Sequence, residues 1–236
     1  MDFFISTKNR TDKEELMDDF SIGGDLLRDT LDKLENINRW LGGNLMTVKA
    51  LKKVLKNHPK EQELIIADIG CGHGDILRDV AKFGRKNGYK MKLIGMDANP
   101  TAIAYANELS TEFPELSFKT EDIFSEAFKN RKFDVVLATL FLHHFKEAQL
   151  AFFLGNTLKQ TKIGIVVNDL HRHKLAYYLF MLLSVFIKNN MIIEDGLTSV
   201  LRGFKRNELV HISNKLKVKP QISWKWAFRF QWILKY

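Results

Sequence analysis

The feature that most restricts what this 236-residue chain can fold into is a short apolar run, Leu64-Ile-Ile-Ala-Asp-Ile69, that ends directly in Gly70-Cys-Gly-His-Gly74. An apolar run of this length without alternation fits a strand buried on both faces, and such strands belong in the middle of parallel sheets. Parallel neighbours need crossover connections, which the following sequence supplies. Ile76 to Phe83 reads as a crossover helix, Lys92-Leu-Ile-Gly-Met-Asp97 as a second strand, and Pro100 to Leu109 as a second helix with proline near its first turn. Leu116-Ser-Phe-Lys-Thr120 gives a third strand, Phe133-Asp-Val-Val-Leu-Ala-Thr139 a fourth, Glu147 to Leu158 its helix, and Ile163-Gly-Ile-Val-Val-Asn168 a fifth. This alternation predicts an α/β fold with a doubly wound, mostly parallel sheet and right-handed crossovers.

Residues 1–60 read as an N-terminal helical extension that serves as a substrate lid. Residues 61–236 form the main domain, with a helical cap insertion over 171–204 after the fifth strand. Asp18 to Gly24 reads as a turn. Leu26, Leu27, Leu31, Leu34 and Ile37 then recur at helical spacing, and Val48, Leu51, Val54 and Leu55 mark the next helix beyond Gly42-Gly43. A long helical stretch is expected from Leu170 through Phe186, then a loop holding Glu194-Asp-Gly196, then a helix from Lys205 to Leu216. Apolar and polar residues alternate from Trp226 onward, as in a late antiparallel strand at one side of the sheet.

One cysteine, Cys71, excludes an internal disulfide, and the start MDFFISTKNRTDKEE lacks a secretory pattern; both point to a cytoplasmic setting. The apolar run from Ala176 to Ile187 is shorter than the roughly 20 residues of a membrane-spanning helix. It suits a buried helix, a lid over an apolar pocket or an interfacial segment, so peripheral contact with a membrane stays open. The net charge of +8 permits anionic partners. Much of the excess lies on solvated positions such as Lys49, Lys52, Lys53, Lys56, Lys215, Lys217 and Lys219, which disfavours a nucleic-acid partner.

The glycines at 70, 72 and 74 let the backbone turn tightly and approach a ligand where a side chain would obstruct it. A dinucleotide fingerprint would put its last glycine at position 75, facing a pyrophosphate. Asp75 stands there instead, and a carboxylate is unfavourable beside phosphate. Asp68 or Asp75 suits the cationic amino group of a zwitterionic cofactor. Asp97, ending the second strand, can accept both hydroxyls of a ribose, whether adenosyl or nicotinamide. Glu121-Asp122 offers an acceptor for an adenine amino group. Singly, each residue has a plain use in a turn or cap; their order and spacing together indicate a nucleoside site.

With these residues the chain resembles the class I S-adenosylmethionine-dependent methyltransferases over about Leu64 to Asp169. Asp68-Ile-Gly-Cys-Gly-His-Gly74 is similar to their glycine-rich cofactor motif, Gly95-Met-Asp97 to their ribose-binding element, Glu121-Asp122 to their adenine-contacting element, and Phe133 to Leu137 to the strand under the reactive sulfonium. The resemblance implies a seven-stranded sheet and S-adenosylmethionine as cofactor. It places Gly70, Cys71, Gly72 and Gly74 along the methionine portion with Asp68 within the same motif, Asp97 on the ribose, Asp122 near adenine N6, Met96 or Ala98 beside the base with Ile123 as an apolar neighbour, and Thr139 and Leu140 on the route to the methyl. Softer likenesses lie in Asn36 to Gly43, Asn168 to His173, Asp195 to Val200 and Phe204 to Leu209. They are similar to small-molecule O-methyltransferases associated with bacterial type III polyketide synthases and aromatic-lipid pathways. That subgroup implies secondary metabolism and methyl transfer to an oxygen of a small, largely apolar phenol, enol or pyrone.

Displacement at a sulfonium requires alignment and exclusion of water, with a base for the acceptor and no bound metal. His143 and His144 follow the fourth strand, and His171, Arg172 and His173 the fifth. His144 and His171 are the first candidates for the base and Arg172 for oxyanion stabilisation, against the plainer readings of capping and packing. His171 and His173 lack a third ligand for a metal. Trp40, Phe141, Tyr177 and Trp226 are candidates to line the acceptor pocket, the competing reading being ordinary core. Three rivals remain. A nucleic-acid or protein methyltransferase would carry an Asn or Asp before Pro-Pro-aromatic, where this chain has Ala138-Thr-Leu-Phe-Leu142. A nicotinamide oxidoreductase conflicts with the glycine spacing, and a non-catalytic nucleoside-binding scaffold would lack room for an acceptor.

Overall fold

The structure is a computed structural model that describes residues 5–235. Two helices lead, α1 (Gly24–Trp40) and α2 (Gly43–Val54), followed by β1 (Leu64–Ile69), α3 (Asp75–Asn87), β2 (Met91–Asp97), α4 (Pro100–Leu109) and β3 (Leu116–Thr120). A short helix α5 (Glu126–Lys129) precedes β4 (Phe133–Thr139), α6 (Glu147–Gln160) and β5 (Thr161–Leu170). Then come α7 (Lys174–Ser184), α8 (Asn190–Arg202), α9 (Arg206–Lys215), β6 (Gln221–Lys225) and β7 (Arg229–Leu234). The seven strands form one sheet in the order β3-β2-β1-β4-β5-β7-β6. The first five are parallel, and β7 runs antiparallel to both β5 and β6. The doubly wound α/β expectation and the N-terminal helical extension are therefore observed.

Both faces of the sheet are covered, which is why its central strands read as unbroken apolar runs. Leu64 and Ile66 of β1 turn to one face with Val135, Leu137 and Val166, where Leu51, Leu55, Leu77 and Val80 of α2 and α3 pack on them. Ala67 and Ile69 turn to the other, with Val136 and Ile165, under Leu150, Phe153 and Leu154 of α6 and Ile212 of α9. Asp68 shares the period-two side of Leu64 and Ile66, so the β1 carboxylate faces α2 and α3. The strand order reverses between β1 and β4, and the crevice at their carboxyl ends is where such sheets bind ligands.

Three local expectations change. Glu194-Asp-Gly196 lies inside α8, not in a loop, because the Asn189 side chain caps that helix by accepting from Ile192 N at 3.1 Å. Gly196 serves close packing there: a Cβ on it would strike the Phe180 ring of α7. The late strand expected from Trp226 is a hairpin, with β6 ending at Lys225 and Trp226 in the turn before β7. The helical stretch expected through Phe186 ends as a helix at Ser184. Among the described residues no helix is long and apolar enough to cross a membrane.

Candidate functional site

A cavity of about 980 Å³ opens at the carboxyl ends of β1, β2 and β4. Its walls are the glycine loop, the segments after β2, β3 and β4, the apolar side of α1 through Leu27, Leu31 and Leu34, and residues Glu14 to Asp18. Asp68, Gly70, Cys71, Gly72, Asp97, Ala98, Asp122, Ile123, Thr139, Phe141 and His144 all lie on this wall.

Gly70, Gly72 and Gly74 each adopt a left-handed backbone, with φ of 68°, 52° and 80°. Residues with a Cβ pay a steric penalty there of about 1–2 kcal/mol. Gly70 N and Cys71 N both donate to Met96 O, at 2.8 and 3.1 Å, so the loop is fastened to the end of β2. A Cβ at Gly70 would collide with the Phe141 ring, and one at Gly74 would come within 2.6 Å of Phe118. Gly74 stands behind the wall as the N-cap of α3, not on the wall itself. Gly70 and Gly72 thus line the cavity with their backbone while the rings of Phe141 and Phe118 occupy the space that Cβ atoms at Gly70 and Gly74 would need.

The carboxylate of Asp97 is aimed by the same loop. Gly72 N donates to Oδ2 and Asn99 N to Oδ1, each at 2.9 Å, leaving further lone pairs on both oxygens. Burial raises its pKa, against the pull of those amides. Asp68 is 1 % exposed, and its Oδ1 has no hydrogen-bond partner. Burial, then the charges of Asp75 and Asp97, push its pKa well above the carboxylate range. A cationic ligand group would satisfy that oxygen and offset the charge. Asp75 is engaged by Asn44, whose Nδ2 donates at 2.8 Å. Glu121 is held by Arg131, which leaves exposed Asp122 as the acceptor at the rim.

The far end of the cavity is built by the turn at Leu142–His144. His143 is 2 % exposed, with Nδ1 2.7 Å from Asp169 Oδ1 and Nε2 3.4 Å from Glu15 Oε1. Asp169 Oδ2 also accepts from Leu142 N at 2.9 Å, tying the end of β5 to the turn after β4. Burial alone would lower the His143 pKa, but the two carboxylates outweigh it and push it up to about 10. His143 is accordingly a cation at neutral pH. His144 lies beside it, half-buried, with Nδ1 2.7 Å from Asp18 Oδ1; Asp18 Oδ2 accepts from Arg202 at 2.7 Å. Among the described residues His144 Nε2 has no hydrogen-bond or ion-pair partner. Arg10 and Arg202 clamp the turn from behind by donating to His143 O, at 2.5 and 3.2 Å. The donor atoms of Glu15, His143 and His144 lie within 4.8 Å of one another, close enough for a metal ion.

The other candidates stand elsewhere in the fold. Arg172 is fully buried and structural: it donates to Gly203 O and Thr7 O and pairs with Glu208 of α9 at 2.5 Å, joining three segments with no face on the cavity. His171 accepts from Trp224 Nε1 at 3.2 Å outside the cavity wall. Burial and the neighbouring charges of His173, Lys205 and Arg172 press its pKa down to about 4. Trp40 and Trp226 are 75 % and 64 % exposed, and Tyr177 is on α7; none of them lines the cavity. Sequence reasoning missed Glu15, Asp18 and Arg202. The one available signal was topological: adjacent parallel strands β4 and β5 bring a His-His turn and Asp169 to the same sheet edge.

A family profile described as a methyltransferase domain matches residues 60–194. Among solved structures, the plantazolicin methyltransferase BpumL in complex with SAH superimposes with a TM-score of 0.67 at 16% identity, over 90% of this chain and 91% of that one. Magnesium protoporphyrin IX methyltransferase from Synechocystis PCC 6803 with bound SAM gives 0.56 at 12%, over 86% and 84%. An O-methyltransferase family protein from Burkholderia thailandensis gives 0.61 at 13%, over 87% and 59%. At these identities the likeness is one of fold. No curated protein sequence matches the chain.

Proposed function

The chain belongs to the methyltransferase-domain family, and from that premise we propose that it moves a methyl group from S-adenosylmethionine to an oxygen of a small, largely apolar phenol, enol or pyrone. The observation that carries this reading is one continuous cavity joining the glycine loop and Asp97 at one end to His143 and His144 at the other. Its volume is at the upper end of the roughly 300–1,000 Å³ of ordinary ligand pockets. That leaves room for cofactor and acceptor together, which a mere nucleoside scaffold does not need.

The residues fit the cofactor. The unpartnered Asp68 oxygen suits its ammonium group, the bare loop at Gly70 and Gly72 its methionine chain, the fixed Asp97 carboxylate its ribose hydroxyls, and Asp122 with Ala98 and Ile123 its base. When bound, the cofactor would supply an electrophilic methyl to which the acceptor oxygen bonds as the carbon–sulfur bond breaks, the electron pair leaving on the sulfur of S-adenosylhomocysteine. Thr139, Leu140 and Phe141 line the stretch of wall between the two ends, where the methyl would pass. With Nδ1 turned toward Asp18, 2.7 Å from its Oδ1, the His144 ring leaves Nε2 to take the proton from the acceptor hydroxyl. His143, fixed between Asp169 and Glu15, positions that turn without exchanging a proton itself. The N-terminal segment, through Glu15, Asp18 and α1, acts as the lid over the acceptor.

The wall argues against a nucleic-acid substrate. It carries Glu14, Glu15, Asp18, Glu35 and Asp68 among other carboxylates and a single arginine, Arg202, the reverse of what a phosphate backbone requires. The test is incubation of the purified protein with S-adenosylmethionine and a panel of phenols, enols and pyrones with and without apolar tails, read by mass spectrometry. The expected result is an acceptor heavier by one methylene, formed in step with S-adenosylhomocysteine. A product carrying its new methyl on carbon would refute the oxygen assignment while keeping methyl transfer.

A further inference from the structure

We propose that α7 and the turn between β6 and β7 form a surface that seats this protein on an anionic lipid bilayer. On α7, Leu175, Leu179 and Leu182 are 51 %, 42 % and 64 % exposed, and Phe186 just beyond it is 80 % exposed. Their spacing of four, three and four residues places them along one helical side. The adjoining side, about 100° round the helix through Ala176 and Phe180, packs inward against α8. Trp224 and Trp226 are also exposed, and contacts connect them to the start of α7: Trp226 lies 6.1 Å from Phe228, Phe228 lies 5.3 Å from His173, and His173 caps α7 by accepting from Leu175 N. The apolar stripe is therefore continuous with a tryptophan pair. None of these residues lines the cavity, so closing over the acceptor does not account for their exposure.

Charge selects the occupant. From His171 through Ile193 there is no Asp or Glu, whereas Lys174 and Lys188 flank the stripe and Lys225 stands beside Trp226. All three lysines are exposed, and among the described residues none is in an ion pair. In a symmetric contact between two copies these lysines would face one another, which opposes dimerisation through this surface. An apolar helical face with tryptophans at its border and lysines around it matches the interface of an anionic bilayer instead. Each lysine near such a surface strengthens binding roughly fivefold. The inference stands apart from the proposed acceptor, although a bilayer would also hold an acceptor with an apolar tail.

The test is co-sedimentation of the full chain with vesicles of phosphatidylcholine alone or mixed with phosphatidylglycerol, with tryptophan quenching by brominated lipids. The expected outcome is binding to the mixed vesicles with quenching. Leu182→Asp with Phe186→Asp should abolish it, and Lys174→Gln with Lys188→Gln should weaken it about 25-fold. S-adenosylhomocysteine affinity measured in parallel should be unchanged in both variants, showing that they fold and keeping this test separate from the methyltransferase reading. Absence of binding by the wild type, equal binding to neutral vesicles, or variants that bind like the wild type would each overturn the proposal. So would a solution dimer that the Leu182→Asp, Phe186→Asp protein no longer forms.

Discussion

Replacing His143 with glutamine tests whether the histidine end of the cavity is held by a buried cation. The imidazole sits 2.7 Å from Asp169 and 3.4 Å from Glu15, both nearly fully buried. Removing one partner of a buried ionic cluster strands the others, which costs about 3–5 kcal/mol. A second, sharper signature follows from proton linkage. The His143 pKa rises from 6.5 in the unfolded chain to about 10 in the folded one, so the folded state binds the extra proton. The stabilisation is thus fully present below pH 6.5 and is lost as pH climbs toward 10. At about 1.4 kcal/mol per pH unit, flattening as pH reaches the folded pKa, it falls by roughly 3.5 kcal/mol between about pH 7 and pH 10. Urea unfolding of wild type and His143→Gln across that range, compared at each pH, isolates this contribution from lysine and tyrosine titration. The expected result is a stability difference that shrinks steadily with rising pH. A difference that stays constant would show that His143 is not charged between its carboxylates and would remove the electrostatic account of the turn.

Two further outcomes distinguish the site from its surroundings. His144→Ala should lower turnover roughly 10²- to 10⁴-fold at nearly unchanged cofactor affinity, whereas His171→Ala should leave turnover close to wild type; steady-state kinetics on the two variants checks both. Gly70→Ala introduces a Cβ at φ 68° into the Phe141 ring and should weaken S-adenosylhomocysteine binding at least roughly tenfold, read by calorimetry.

What the sequence made legible is what local chemistry encodes. The strands β1, β2 and β4 stand out because burial on two faces leaves no polar alternation, and Asp97 because it ends one of them directly. Gly70, Gly72 and Gly74 were readable because their positive φ needs glycine. Other features depend on partners far along the chain. The contact of His143 with Glu15 joins a turn after β4 to the N-terminal segment, and nothing near either residue announces it. Arg172 looked free to meet an oxyanion, yet Gly203, Thr7 and Glu208 converge on it. Gly196 read as a loop because its value lies in the Phe180 ring pressed against it. The apolarity of Tyr177 and Trp226 suits a pocket, but apolarity does not say which way a helix or turn faces, and neither residue lines the cavity.

The central claim is that an adenosyl nucleoside is fastened at the end of β2 and spans the glycine loop. Titrating S-adenosylhomocysteine into the wild-type protein and Asp97→Ala in a calorimeter tests it most directly. Saturable uptake by the wild type is expected, with roughly hundredfold weaker binding by the variant, from loss of two hydrogen bonds to a charged acceptor. No uptake by the wild type, or equal affinity in the two proteins, would contradict it.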